Sequence, residues 1–557
     1  MHVLMRLCAM VVVNVSLVFG ASYPPIKGRA LALSSHALAD KVAQKVLDEG
    51  GNAIDAAVAI GYALAVVHPS SGNLGGGGFA VVHLANGENV TLDFREKAPL
   101  KATKNMYLDK KGKVIPNLST DGYLAAGVPG TVAGLSALLD KYGTRKLATL
   151  IQPAIDLAQH GFRLTQRQGE TMLDAKPRFA KYASSRKYFL RRGMVAYQEG
   201  DLFVQKDLAK TLTLIKNQGP SAFYKGKIAD LIVEDMRKNG GIITKKDLAS
   251  YNVVWRKPVV GTYRGYKIIS MGPPSSGGAH VIEILNTMEN ANIHNLGFGS
   301  SKTIHIMAEA MRQAYADRSV YMGDPDFITI PLEKLTSKAY AKEIYAHIQP
   351  DKATPSSQIN PGLGQLHEGK NTTHYSVADK WGNAVSITYT INNYYGSAAA
   401  VNGAGFLLND EMDDFSIKPG TPNLYGLVGG EANAIEPNKR PLSSMSPTIV
   451  LKNNKVFMVV GSPGGARIIT TVLEVISNVI DHKMDIAQAV SAPRFHMQWL
   501  PDEIRTEPFG MVKDVQENLE KMGYHIVVKP VMGDVNAIVI NPKSHMMYGA
   551  HDPRKEF

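Results

Sequence analysis

A single cysteine, Cys8, is all the thiol this 557-residue chain contains, and it sits near the start of an apolar N-terminal stretch. Cys8 precedes most of that stretch, so a lipid-modified cysteine is not expected there. A chain that loses the stretch has no disulfides, no thiolate nucleophile and no cysteine ligands for a metal. A His-Glu-x-x-His pair is missing as well, and neither a catalytic metal nor another cofactor is expected. Long apolar runs are scarce. Residues 7–19 and 53–67 both fall short of the roughly 20 residues that a bilayer-spanning helix needs. Arg6 before the first run and Gly20 and Ala21 after it give residues 1–21 the form of a secretory signal segment, a short N-terminal anchor being the alternative. The periplasm or the medium is then the expected location, without a membrane anchor. The formal net charge is +12, but the bases are interspersed with acids and form no long basic stripe. No nucleic-acid partner is expected.

At 45% hydrophobic and 20% charged residues, the composition is that of a globular protein long enough for one large domain or several ordinary ones. The segment 36–67 reads as two helices. Leu38, Val42 and Val46 recur every four residues, Ser34 or Ser35 can cap the start, and Gly50-Gly51 ends the first helix. Asn52 caps a second helix that is apolar nearly all round and so belongs in a core. The glycine-rich stretch 70–78 precedes a strand rather than a helix and lacks the Lys and Ser/Thr of a phosphate loop. It reads as a close approach of backbone to a site or to the core. Residues 120–350 are helix-rich. Around 354–370 the chain turns into Pro, Ser, Gly, Gln and Asn with hardly any apolar periodicity, a linker that ends at Thr372.

From Thr372 onward strands and turns dominate. Thr373, Tyr375 and Val377 alternate before a polar turn at 379–383, and a second run follows at 385–390. A hairpin symmetric about Trp381 sets Thr372 across from Thr390, with Cβ atoms roughly 5 Å apart. A threonine hydroxyl becomes a nucleophile when a base takes its proton. An α-amino group can be that base if the threonine begins a chain. The exposed linker before the Asn371–Thr372 bond is the kind of approach a cleavage site requires. A second hairpin turns at Asn453-Asn454. Symmetry about it pairs Ser443 with Gly464 and Ser444 with Pro463, bringing two hydroxyls to a Gly-Gly step. A helix at 468–480 follows, so the N–H groups of Gly464 and Gly465 are free to bind an oxyanion.

Five stretches carry a resemblance: Asp93-Phe94-Arg95-Glu96, Thr372-Thr373-His374-Tyr375-Ser376, Met412-Asp413-Asp414-Phe415-Ser416, Pro441-Leu442-Ser443-Ser444-Met445 and Gly461-Ser462-Pro463-Gly464-Gly465. In order and spacing they resemble the γ-glutamyltranspeptidases, of the bacterial exported type, from about residue 25 to the C-terminus. The resemblance implies an N-terminal nucleophile hydrolase with an α/β (α+β) fold, a four-layer αββα sandwich built jointly by two subunits. It implies a precursor that cuts itself at Asn371–Thr372 into a large subunit, 22–371, and a small subunit, 372–557. The substrates would be small molecules, glutathione and glutamine as donors and amino acids or dipeptides as acceptors. Thr372 then corresponds to the nucleophile, Thr390 to its supporting threonine, and Gly464 and Gly465 to the oxyanion hole. Arg95, Ser443 and Ser444 correspond to the grip on the substrate α-carboxylate. Asp414 corresponds to the partner of its α-ammonium, with Asn392 and Glu411 as polar neighbours. Tyr425 corresponds to a lid side chain, and Arg467 is a candidate brace for Glu411. Taken alone, Arg95 also fits a surface ion pair and Asp413-Asp414 a helix cap. Asn371-Thr372-Thr373 is also an N-glycosylation triplet, one of several. His374 is read as structural, on the strand face opposite the nucleophile. Two other readings stay open: a cephalosporin-type acylase, and a secreted binding protein that keeps the fold without catalysis.

Overall fold

The computed structural model describes residues 23–359, 372–420 and 430–554. The signal segment, Asn371 and Tyr425 lie outside the described residues.

Two sheets face each other at the centre. In spatial order, the first runs Leu31–Leu33, Thr373–Ala378, Ala384–Thr390, Gly77–His83, Asn89–Phe94 and Val254–Arg256. The second runs Ile26–Gly28, Met547–His551, Asn536–Ile540, Lys455–Val460, Thr448–Lys452, Tyr266–Ser270 and Val259–Tyr263. Each sheet combines strands from before and after Thr372. The outer face of the first sheet packs under the helices Ala37–Asp48, Ala53–Val67 and Thr131–Tyr142. That of the second packs under Gly277–Met288, Ser301–Tyr321 and Ile468–Ile480. The result is the four-layer αββα sandwich.

Local chemistry explains the elements next to the site. Every residue of the Ala53–Val67 helix is buried, and Asn52 and Asp55 close a reciprocal capping box at its start. The preceding helix is capped by His36, whose Nδ1 accepts from Leu38 N, and not by Ser34 or Ser35. Ser34 instead donates to Asp40 at 2.5 Å. The hairpin at Trp381 keeps its symmetric register: Thr373 pairs with Tyr389 and His374 with Thr388. Extended by one residue, that register sets Thr372 opposite Thr390. The Asn453-Asn454 turn also forms, with φ of 53° and 59° at its two residues.

Symmetry about this second turn does not extend to the serines. A bulge between Val450 and Leu451 shifts the register by one, and the strand starts only at Thr448. Pro447, which has no N–H to give a ladder, precedes it. Ser443 forms a parallel bridge with Ser275 instead. It is held by Pro274 O, which accepts from Ser443 N at 2.9 Å, and by Ser276 N, which donates to Ser443 O at 2.8 Å.

Candidate active site

Three backbone segments converge where the two sheets open. The Thr373–Ala378 strand begins at Thr372, and the Ala384–Thr390 strand ends at Thr390. The loop before Thr448 carries Ser443 and Ser444. These four hydroxyl residues line a cavity of ≈ 300 Å³. Thr372 is 5% exposed and Thr390 2%, so the hydroxyls meet away from bulk water. Thr390 Oγ1 accepts from Asn392 N at 2.8 Å, and Asn392, at φ 70°, donates its side-chain amide to Asp410 O at 3.0 Å. Asn392 and Gly465 also line the cavity. Gly464 and Gly465 have φ of 140° and 58°, values that favour glycine. They lead into a helical turn, Gly465–Arg467, and then into the Ile468–Ile480 helix. The first N–H groups of such a turn have no partner within it.

The glycine-rich loop supports this end from behind. A Cβ on Gly76 would lie 1.9 Å from Thr390 O, and one on Gly75 would lie 2.1 Å from Leu407 O. Backbone approaches backbone here, as the loop composition implied.

His374 requires a correction. It stands two residues from Thr372, so strand alternation puts both on the same face. That face looks into the gap between the sheets. His374 Nδ1 lies 2.9 Å from Thr388 Oγ1, and Nε2 lies 2.9 Å from Ser376 Oγ. Burial pushes the ring down to about 3, so it is neutral at physiological pH. His374 ties the sheets together: Asn536 of the second sheet donates to its carbonyl at 3.0 Å.

The charged wall of the cavity is built on Arg95, which directly follows the Asn89–Phe94 strand. Its guanidinium donates to Glu411 and to Asp414, and to the carbonyls of Pro441 (3.3 Å) and Leu442 (3.2 Å). Glu96 lies 3.6 Å away. Burial alone would lower the Arg95 guanidinium, but Glu411, Asp414 and Glu96 outweigh it and raise it. Burial in turn pushes Glu411 well up, raises Asp414 and takes Glu96 up to about 7, in each case against the pull of Arg95. One cation faces three carboxyls in a dry site, so part of the cluster keeps a proton at neutral pH. Arg95 and Asp414 form an ion pair within this cluster. Asp93 anchors the wall from beneath. It accepts from Arg95 N at 3.0 Å and from Arg256 Nε at 2.8 Å, and it forms an ion pair with Arg440 at 3.2 Å. Since Arg440 leads into the serine loop, these contacts fix the carboxyl wall and the serines to one frame.

Glu411 takes its ion pair from Arg95, and the Arg467 charge acts on Tyr315 and His496. Reading the sequence motif by motif missed Arg318, which also lines the cavity with Met445 and Ile468. It lies in the Ser301–Tyr321 helix, where Met307, Met311, Ala314, Tyr315 and Arg318 follow helical spacing along the buried side. An arginine at the end of a buried stripe was the available signal.

The family model for gamma-glutamyltranspeptidase matches residues 39–557. The glutathione hydrolase proenzyme of Escherichia coli (strain K12) is 51% identical over 534 residues, 96% of this chain and 92% of its own. The crystal structure of Helicobacter pylori γ-glutamyltranspeptidase is 71% identical with a TM-score of 0.60, covering 62% of this chain and 100% of that one. The structure of cephalosporin acylase from Bacillus halodurans covers 97% of both chains with a TM-score of 0.87 but is only 27% identical. The chain therefore belongs to the γ-glutamyltranspeptidase family.

Proposed function

We propose that Thr372 acts twice in this self-processing γ-glutamyltranspeptidase, first on its own chain and then on substrate. In the precursor its hydroxyl attacks the carbonyl carbon of Asn371. The peptide nitrogen leaves as the α-amino group of Thr372, and water opens the resulting ester. The products are the large subunit, 22–371, and the small subunit, 372–557. The freed α-amino group, with a reference pKa near 8, accepts the hydroxyl proton when Thr372 attacks a γ-glutamyl amide. The amine leaves with that proton, and a γ-glutamyl ester of Thr372 remains. Water completes hydrolysis, and an amino acid or dipeptide completes transfer.

The observation that carries this reading is the meeting of Thr372, Thr390 and Gly465 with an amino-acid-sized set of charges in one small cavity. Gly464 and Gly465 receive the oxyanion. Ser443, Ser444 and Arg95 take the α-carboxylate, whose planar pair of oxygens suits a guanidinium fork. Asp414, beside Glu411 and Asn392, takes the α-ammonium. Glutathione and glutamine carry this head group and are the proposed donors. The name of the E. coli relative and the fully matched, shorter H. pylori chain support the substrate and the cut. Among the described residues no helix is long and apolar enough to cross a membrane. The form of residues 1–21, that of a secretory signal segment, supports export to the periplasm or medium.

Purified protein run on a denaturing gel should give two bands, the smaller beginning at Thr372, and Thr372→Ala should leave one band just below the 60.4 kDa of the full chain. Normal cutting in that variant would overturn the assignment. The acylase reading differs in the head group. A γ-glutamyl anilide should turn over at least about 100-fold faster than the glutaryl anilide, which lacks the α-ammonium that Asp414 receives.

A further inference from the structure

Asn73 stands in the glycine-rich loop behind the threonine pair and is 4% exposed. Its side-chain Nδ2 donates to Thr390 O and to Ser71 O, both at 3.0 Å. Its Oδ1 accepts from Gly76 N at 3.0 Å and from Thr131 Oγ1 at 2.6 Å. An amide side chain has two donor and two acceptor positions, and here all four are used. Gly76 N can only donate and the two carbonyls can only accept, so the amide has a single orientation. Gly76 is fixed on its other side as well. Its carbonyl accepts from Gly130 N at 2.7 Å and from Thr131 N at 3.0 Å, where the Thr131–Tyr142 helix begins.

Thr390 is therefore held twice. Asn73 grips its carbonyl, and Asn392 N donates to its hydroxyl at 2.8 Å. The bond from Asn73 spans 317 positions of sequence and ties the strand end to a helix start through one side chain. A second amide, Asn409, grips the preceding glycine and leads elsewhere. Its Nδ2 donates to Gly75 O and to Gly127 O, both at 2.8 Å. Its Oδ1 accepts from Gly127 N at 2.8 Å and from Glu411 N at 3.0 Å. One loop thus carries two supports, Asn73 for the threonine pair and Asn409 for the carboxyl wall.

Resting on the γ-glutamyl reading above, we propose that Asn73 is a positioning residue for both reactions of Thr372. By holding the Thr390 carbonyl it sets where the Thr390 hydroxyl stands relative to Thr372, without itself touching substrate. Its effect belongs to the chemical step and to self-cutting, whereas the grip on the donor's head group depends on the other side of the loop.

Asn73→Asp tests this with little change of shape. Ionised, the introduced carboxyl donates to neither carbonyl; protonated, it donates to only one. With γ-glutamyl-4-nitroanilide, kcat of the cut enzyme should fall about 10- to 100-fold while the donor KM stays within about twofold of wild type, and self-cutting should slow by a similar factor. A loop that had merely lost its shape would also release Asn409 and the carboxyl wall, and KM would rise. A KM that rises as kcat falls, or kcat and cutting both within about twofold of wild type, overturns the proposal. Should Asn73→Asp stay uncut or unfolded, Thr131→Val decides. It removes one of the two donors that orient the amide, so kcat should fall about 2- to 5-fold at unchanged KM. An unchanged kcat or a raised KM in that variant overturns the proposal. A wild-type enzyme that leaves the anilide untouched overturns the γ-glutamyl reading instead, and the cutting rates of the variants then decide the role of Asn73.

Discussion

Glu96 illustrates how much of this site depends on protonation at single residues. Its carboxyl is buried beside Arg95 and pushed up to about 7, burial outweighing the attraction of the arginine. An acid whose folded pKa lies above its unfolded value keeps a proton that the unfolded chain releases. Its contribution to stability is complete below the unfolded range near 4.5 and is lost as pH rises to about 7. Glu96→Gln cannot ionise and escapes that loss. The processed variant should melt with wild type at pH 5 and about 1–2 °C above it at pH 8.5 in calorimetry. A variant that melts lower at both pH values would mean that Glu96 contributes as a charge and not as an acid. At this scale the sequence was informative wherever a residue stood in a recognisable motif: Thr372, Thr390, Arg95, Asp414, Ser443, Ser444 and Gly465 all reach the one cavity. Arg318 stands in no motif and reaches the cavity only because its helix packs over the second sheet. Glu96 stood inside a quoted motif, yet its protonation depends on burial beside carboxyls more than 300 positions away in the chain.

Among elements, the contact between the glycine-rich loop and the end of the Ala384–Thr390 strand tolerates the least change. A methyl group on Gly76 would meet Thr390 O at 1.9 Å and Asn73 Oδ1 at 2.7 Å. The first of these is backbone and cannot rotate away. Gly76→Ala should therefore displace Thr390 from Thr372 and leave most of the protein uncut after expression, read as the fraction of full-length band. Gly461 against the His374 ring is another glycine-dependent contact: a Cβ there would lie 2.3 Å from that side chain. The two hairpins show where local pattern suffices. Around Trp381 an unbroken two-residue alternation carries the register to the end of both strands. Around Asn453-Asn454 one bulge cancels the same arithmetic, and the serine loop is placed by Pro274, Ser275 and Ser276 from far earlier in the chain. No local pattern encodes a partner so distant along the chain.

The molecule as a whole is built so that cutting it does not divide it. Thr373–Ala378 lies between Leu31–Leu33 and Ala384–Thr390, and Met547–His551 lies between Ile26–Gly28 and Asn536–Ile540. Separating residues 372–557 from the rest would break ladders in both sheets and expose both cores. The two fragments should therefore elute as one species in native size exclusion and separate only in denaturant. Elution as two native species would contradict the shared sheets.

The sequence by itself set Thr372 opposite Thr390 and the glycine step ahead of a helix, and its motifs in order carried the resemblance that implied the layered fold. These depend on local spacing: the period of two along strands, the turn residues between them, and motifs held in order. Only the tertiary structure decided the charge state of the Arg95 cluster, the register at the serines, the side of the strand on which His374 lies, and the presence of Arg318. Each of these depends on burial or on a partner from a distant segment, and both arise only when the two sheets and their helices close around the cavity.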